Sequence, residues 1–172
     1  MPKVLLITGP GGAGKSTIAK MIARDRNFVC VDGDREDTEF FPDGDQWLPE
    51  NKEMLKKAHR KILQKAKELI NTGKSVIVDY IIFGEYENFA EMFKKEFGDS
   101  FAMMVLFPSQ AELIKRDRDR ECWTTGPDRI AAVYKEFESA KKSIGAENYL
   151  DTSAQTPEET VEDIFSLMDT NS

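Results

Sequence analysis

The sequence predicts an α/β fold, a five-stranded parallel sheet with helices on both faces, and three observations carry this. Short apolar runs alternate with amphipathic stretches along the chain. Those runs are nearly continuous in hydrophobicity, as strands buried on both faces are. A glycine-rich segment also separates the first run from the first helical stretch, the usual place for a tight strand-to-helix turn.

The elements follow in order. Apolar runs at Val4–Ile7, Phe28–Val31, Val76–Val78, Phe101–Phe107 and the weaker Tyr149–Leu150 are the five strands. Ile18–Ala23 is helical. From Asn51 to Asn71 apolar residues recur with a period near 3.6, giving one long amphipathic helix stopped at Asn71-Thr72-Gly73. Phe89, Met92, Phe93 and Phe97 form another helical stripe ended by Gly98. Thr156-Pro157-Glu158-Glu159 is a capping box with proline at the first helical position, opening a helix with Val161, Ile164, Phe165 and Met168 on one face. The polar segment Glu36–Pro49 is a long loop of the kind that often serves function.

At 172 residues the chain fits a single domain spanning 1–172. A net charge of -7 and a pI near 4.9 repel a polyanion and argue against a dedicated nucleic-acid binder. No run reaches the ~18 apolar residues that would cross a bilayer, and no secretory leader is visible. The two cysteines make no disulfide framework and fit a reducing cytoplasm. Cys30 is expected in the core and Cys122 nearer the surface. Oligomeric state is not legible.

The glycine-rich segment Gly9-Pro10-Gly11-Gly12-Ala13-Gly14-Lys15-Ser16 satisfies G-x-x-x-x-G-K-[ST], with a strand before it and a helix after it. Glycines let the backbone turn several N–H groups onto one anion, reinforced by the helix dipole. Lys15 reaches the β- and γ-phosphates of a nucleoside triphosphate, Ser16 offers a hydroxyl to Mg²⁺, and Thr17 stands near the α-phosphate. Gly9, Gly11, Gly12, Ala13 and Gly14 complete this P-loop, and with it the predicted fold becomes the three-layer P-loop NTPase fold. Val76-Ile77-Val78-Asp79 ends a strand on an acid, which suits Asp79 to Mg²⁺ beside Ser16.

The second strand runs into Asp32-Gly33-Asp34-Arg35. Ligands in open parallel sheets bind beyond the carboxyl ends of the strands, so these residues are expected near the P-loop. Asp32 or Asp34 can take the proton of an incoming hydroxyl. Arg35 can hold an anionic group on an acceptor. Further on, Arg116 and Arg120 share a helix face, whereas Arg118 points elsewhere and belongs to a solvated Arg/Asp ladder. A lid over about 114–130, with its tip at Trp123–Pro127, fits this stretch. Arg129 opens the next helix, where a bound anion would offset the unfavourable dipole. His59, one turn from Leu55 and Leu63, suits packing better than catalysis. Trp47 either lines an acceptor pocket or plugs a core edge.

The P-loop, the strand-end Asp-Gly-Asp and the Asp32-x-x-Arg35 spacing resemble the P-loop small-molecule kinases. That group includes chloramphenicol phosphotransferase, gluconate kinase, adenylylsulfate kinase and the polynucleotide 5'-kinase. The resemblance implies ATP and Mg²⁺ as cofactors and transfer of the γ-phosphoryl group to a hydroxyl of a small-molecule acceptor, with Asp32 as base. It also implies two lid arginines, matched by Arg116 and Arg120, over the transferring group. Thr152 and Ser153 fall where the fifth strand meets the adenine in that group. Through Arg35 and Arg129 an acceptor phosphate could be gripped, so nucleoside, nucleotide or polynucleotide 5'-hydroxyl kinases are an alternative. A P-loop switch or toxin-like regulator is another, although the guanine-specifying Asn-Lys-x-Asp is absent from the sequence.

Overall fold

In the computed structural model, which describes residues 2–44, 46, 48–82, 85–119 and 125–170, five strands form one parallel sheet. The strands are β1 (Val4–Thr8), β2 (Phe28–Asp32), β3 (Ser75–Asp79), β4 (Phe101–Leu106) and β5 (Tyr149–Leu150). Their order is β2-β3-β1-β4-β5. The chain leaves β1 toward one edge and later crosses back to the other, so the crevice beside β1 is the topological switch point.

The helices are α1 (Lys15–Asp25), α2 (Gly33–Glu36), α3 (Lys52–Asn71), α4 (Tyr86–Phe97), α5 (Gln110–Arg118), α6 (Pro127–Ile144) and α7 (Pro157–Thr170). They cover both faces, and the two-residue period of the strands decides which side chain meets which layer. Val4 and Leu6 of β1 join Ile62 and Ala66 of α3 and Phe89 and Phe93 of α4 in one core. Leu5 and Ile7 turn the other way and pack with Ile18 and Ile22 of α1 and Ile164 and Met168 of α7.

The local signals read from the sequence recur in the bonds. Thr156 Oγ1 accepts the Glu159 N–H at 3.2 Å, and the Glu159 carboxylate accepts the Thr156 N–H at 2.8 Å. The capping box is closed in both directions. α3 begins within a residue of its expected start. None of the described helices is long and apolar enough to cross a membrane.

Two expectations are corrected. Cys30 is exposed and not in the core. β2 is an edge strand, and on the face of Cys30 the packing residue is Phe28, which meets Phe165 of α7 edge-on at 6.0 Å. The Glu36–Pro49 stretch is also more than a solvated loop. It carries the last residue of α2, and Phe41 anchors it by packing on Leu55 and Ala58 of α3. Trp47, Arg120, Cys122, Trp123 and Thr124 lie outside the described residues.

Candidate active site

Strand register brings the first functional groups together. Asp32 pairs with Asp79 across β2 and β3, and Ile7 of β1 pairs with Asp79 on its other side. Neighbouring strands stand about 4.8 Å apart, so both carboxylates and the mouth of the P-loop share one edge of the sheet.

The loop after β1 depends on two of its glycines. Gly9 has φ of 141°, and a Cβ there would stand 2.3 Å from the Leu106 carbonyl oxygen of β4. Gly14 is left-handed at φ 92° and hands the chain into α1. The first-turn N–H groups of α1 have no acceptor within the helix and point into the loop's concavity. Lys15 is buried, and its Nζ donates to the Pro10 carbonyl at 3.0 Å. The lysine is thus held over the loop that would receive phosphates.

Asp79 is buried at the end of β3, and the Ser16 hydroxyl donates to its carboxylate. Its Oδ1 has no hydrogen-bond partner and no contact with solvent. Desolvation pushes the Asp79 pKa upward, and Asp32 adds to this, while the Ser16 bond and Lys15 oppose it. A buried, unsatisfied carboxylate oxygen beside a hydroxyl is costly without a cation. Hard oxygen donors of this kind suit Mg²⁺, so the residues fit the ion.

On the other side of the crevice, Asp32 is exposed at the N-cap of α2, and its Oδ1 accepts the Arg35 N–H at 3.1 Å. Asp34 is exposed on α2 itself. Desolvation there pushes its carboxyl up to about 7, helped by Asp37, Asp79 and Asp32 and opposed by Lys15. Arg35 is exposed on the same short helix.

A brace that the sequence reading did not single out fixes this turn. Tyr80 follows Asp79 and is fully buried, with its hydroxyl donating to Asp37 Oδ2 at 3.1 Å. A Cβ on Gly33 would stand 2.5 Å from the Tyr80 ring, so only glycine lets the Asp32–Asp34 turn settle there. His59 and Phe89 pack their rings on Tyr80 at 5.6 and 5.5 Å. His59 is buried, and desolvation lowers its pKa to about 4, which keeps it neutral, in line with the packing role expected for it.

A second cleft, about 270 Å³, opens between Gly14, Thr17 and Ile18 on one wall and Arg116, Thr152 and Thr160 on the other. Arg116 is fixed at two points. Its Nε donates to Glu112 Oε1 at 2.9 Å, and an Nη donates to the Thr152 carbonyl at 2.9 Å. Those bonds set its guanidinium beside the α1 end of the P-loop, away from Asp32 and Asp79. Thr152 is buried, with its Oγ1 unpartnered. Gln155 is locked by Asp163 and by the Thr160 hydroxyl, at 2.5 and 3.1 Å.

Buried Asp117 clasps the far end of the lid segment, its carboxylate accepting the Thr125 and Gly126 N–H groups at 2.9 and 3.0 Å. Thr125 in turn reaches the P-loop, its Oγ1 3.7 Å from where a Cβ on Gly11 would be. Arg129 is exposed on the first turn of α6.

With this geometry established, comparison with known proteins identifies the family. The AAA domain family matches residues 4–145, the greater part of the chain. The chain belongs to this AAA domain family. The fold of this AAA domain is that of the P-loop small-molecule kinases. A sugar kinase from Janibacter superposes with a TM-score of 0.77 at 17% identity, covering 98% of this chain and 95% of that one. A shikimate kinase from Bacteroides thetaiotaomicron gives 0.71 at 17% identity, covering 97% and 98%. A gluconokinase from Sinorhizobium meliloti gives 0.65 at 16% identity, covering 98% and 93%. No curated protein sequence matches.

Asp37, Tyr80 and Asp117 within the AAA domain, and Gln155 beyond its matched span, are the site-building residues absent from the motif reading. A signal existed for Tyr80: a tyrosine at the end of a fully apolar strand needs a partner for its hydroxyl, and the nearby loop is rich in acids. Asp117 lay within the Arg/Asp ladder and could not be told from its solvated neighbours.

Proposed function

We propose that the protein is an ATP-dependent kinase that transfers the γ-phosphoryl group to a hydroxyl of a small-molecule acceptor. The observation that carries this reading is the shared sheet edge: Lys15 and Ser16 on one side, Asp79 in the middle, and Asp32 beside it in register. A switch that only hydrolyses its nucleotide has no need of a second carboxylate turn braced by a buried tyrosine. The kinase neighbours in fold accord with the same reading.

The P-loop N–H groups and Lys15 bind and orient the triphosphate. Ser16 and Asp79 would hold Mg²⁺, which supplies charge neutralisation at the β- and γ-phosphates. The acceptor oxygen forms a bond to Pγ while the bond from Pγ to the β,γ-bridging oxygen breaks, and ADP leaves with that electron pair. Asp32 takes the hydroxyl proton and later releases it to solvent. A well-placed base of this kind contributes about 10²–10⁴ in rate. Arg116, with Thr152, serves the nucleoside end of ATP, where a guanidinium can lie on a base. Arg120 remains the proposed lid cation over the phosphoryl group.

The reading is tested with γ-labelled ATP, Mg²⁺ and a panel of hydroxyl compounds. Label should move to one chemical class, with one ADP formed per labelled product. Tight ATP binding with slow hydrolysis and no labelled organic product would overturn it.

A further inference from the structure

The proposed chemistry leaves one hydroxyl at the P-loop unused. Thr125 Oγ1 lies 3.7 Å from the point where a Cβ on Gly11 would stand, an ordinary van der Waals distance. Gly11 has no side chain to fill that space, and both residues are partly open to solvent. Among the described residues, the Thr125 hydroxyl makes no hydrogen bond, although the Thr125 N–H does.

Lys15 shows which end of the loop this is. Its Nζ donates to the carbonyl of Pro10, the residue bonded to Gly11, at 3.0 Å. The lysine of this motif serves the β- and γ-phosphates. The cleft proposed for the nucleoside opens at the opposite end, beside Ala13, Gly14 and Thr17. Thr125 therefore stands at the terminal-phosphate end of the loop.

The backbone beneath that hydroxyl is fixed. Asp117 is buried on α5, and its Oδ1 and Oδ2 accept the Thr125 and Gly126 N–H groups at 2.9 and 3.0 Å. Those N–H groups belong to the two peptide planes that flank the Thr125 α-carbon. One carboxylate thus holds both planes through charge-assisted bonds, the stronger kind, and leaves the hydroxyl little freedom beyond its own χ1.

We propose that the Thr125 hydroxyl donates a hydrogen bond to a γ-phosphoryl oxygen of bound ATP, and that Asp117 is the positioning residue that holds it there. This rests on the kinase reading and adds a residue to its donor half. The charge of the transferring group spreads over its three equatorial oxygens. A neutral donor on one of them orients the group while Lys15 and Mg²⁺ supply the positive charge. Thr125 keeps its proton throughout, and the transfer is the balanced step given above.

The test needs no acceptor. ATP and ADP affinities are measured by calorimetry with Mg²⁺ in the parent, Thr125→Val and Thr125→Ser. A donor to the γ-phosphoryl group is missed by ATP alone. Thr125→Val should therefore weaken ATP by about tenfold and leave ADP within about twofold, and Thr125→Ser should restore most of the ATP affinity. Asp117→Asn offers one acceptor oxygen to two N–H groups and should weaken ATP relative to ADP in the same sense. Added to Thr125→Val, it should cost little more.

ATP and ADP weakened alike, neither weakened, or a serine no better than valine would overturn the inference and leave the kinase reading standing. A full further loss from Asp117→Asn in the Thr125→Val background would overturn the role given to Asp117. The kinase reading fails on a different readout, the absence of any labelled organic product, so the two failures are distinguishable.

Discussion

The donor and acceptor halves of the proposed site are built on different principles. The donor half lies at the sheet centre, on β1 between β3 and β4, and its shape is set by backbone: Gly9 against Leu106, Gly14 at the start of α1, and N–H groups facing the loop. The acceptor half hangs on the edge strand β2 and is set by side chains, with Tyr80 filling the space beside Gly33 and bonding Asp37. A backbone cradle accepts any triphosphate of the right length. A side-chain turn at an edge can be rebuilt for different acceptors without disturbing the sheet, which is where sequence freedom and substrate identity are expected to meet.

If the halves are distinct, substitutions should separate them. Lys15→Ala strikes the donor half and should lower kcat/KM for ATP by about 10³–10⁵, read in the transfer assay, since one positioned cation carries that much in phosphoryl transfer. Asp32→Asn should lower turnover by about 10²–10⁴ while ATP affinity, measured by calorimetry, stays near that of the parent. Unchanged turnover would move the base to Asp34. Gly33→Ala forces a methyl into the Tyr80 ring and should cost about 1–3 kcal/mol in denaturant unfolding. Its surviving folded fraction should still bind ATP.

Arg116→Ala should raise KM for ATP about five- to tenfold with a smaller effect on kcat, because it lines the cleft beside α1 that we propose for the nucleoside. The smallest effect concerns pH. Asp34 is raised in the folded protein to about 7 from an ordinary value near 3.8. The fold thus holds its proton more tightly than the unfolded chain. Stability from that group is fully present below about 4 and is lost as pH rises through about 7. Without ligands, Tm of Asp34→Asn relative to the parent should therefore climb between pH 5 and 8. His59, lowered to about 4, works in the opposite sense: it costs stability as pH falls from about 6.5 to 4. It does so equally in both proteins, so it cancels in the difference.

Much of the donor half was legible because its chemistry is local. Gly9 to Ser16 are consecutive, and the strand and helix that frame them follow from their own periodicity. Sheet order was not legible, because nothing in the Val76–Val78 run says that it inserts between β1 and β2. That insertion is what places Asp79 between the P-loop and Asp32. The Gly33–Tyr80–Asp37 brace joins residues up to 47 positions apart in the chain, and no spacing rule could link them. Cys30 shows the converse: an apolar run was read as buried throughout, but the run is an edge strand and one residue of it faces out. Arg116 and Arg120 share a helix face by spacing, yet what Arg116 reaches was decided by Glu112 and the Thr152 carbonyl.

The central claim is that one sheet edge holds two separable substrate sites. It is tested most directly by measuring ATP affinity and phosphoryl transfer side by side in the parent and in Asp32→Asn. The account predicts ATP dissociation constants within about threefold of each other and a loss of turnover of about 10²–10⁴. A variant that loses ATP binding along with transfer, or one that loses neither, would contradict it.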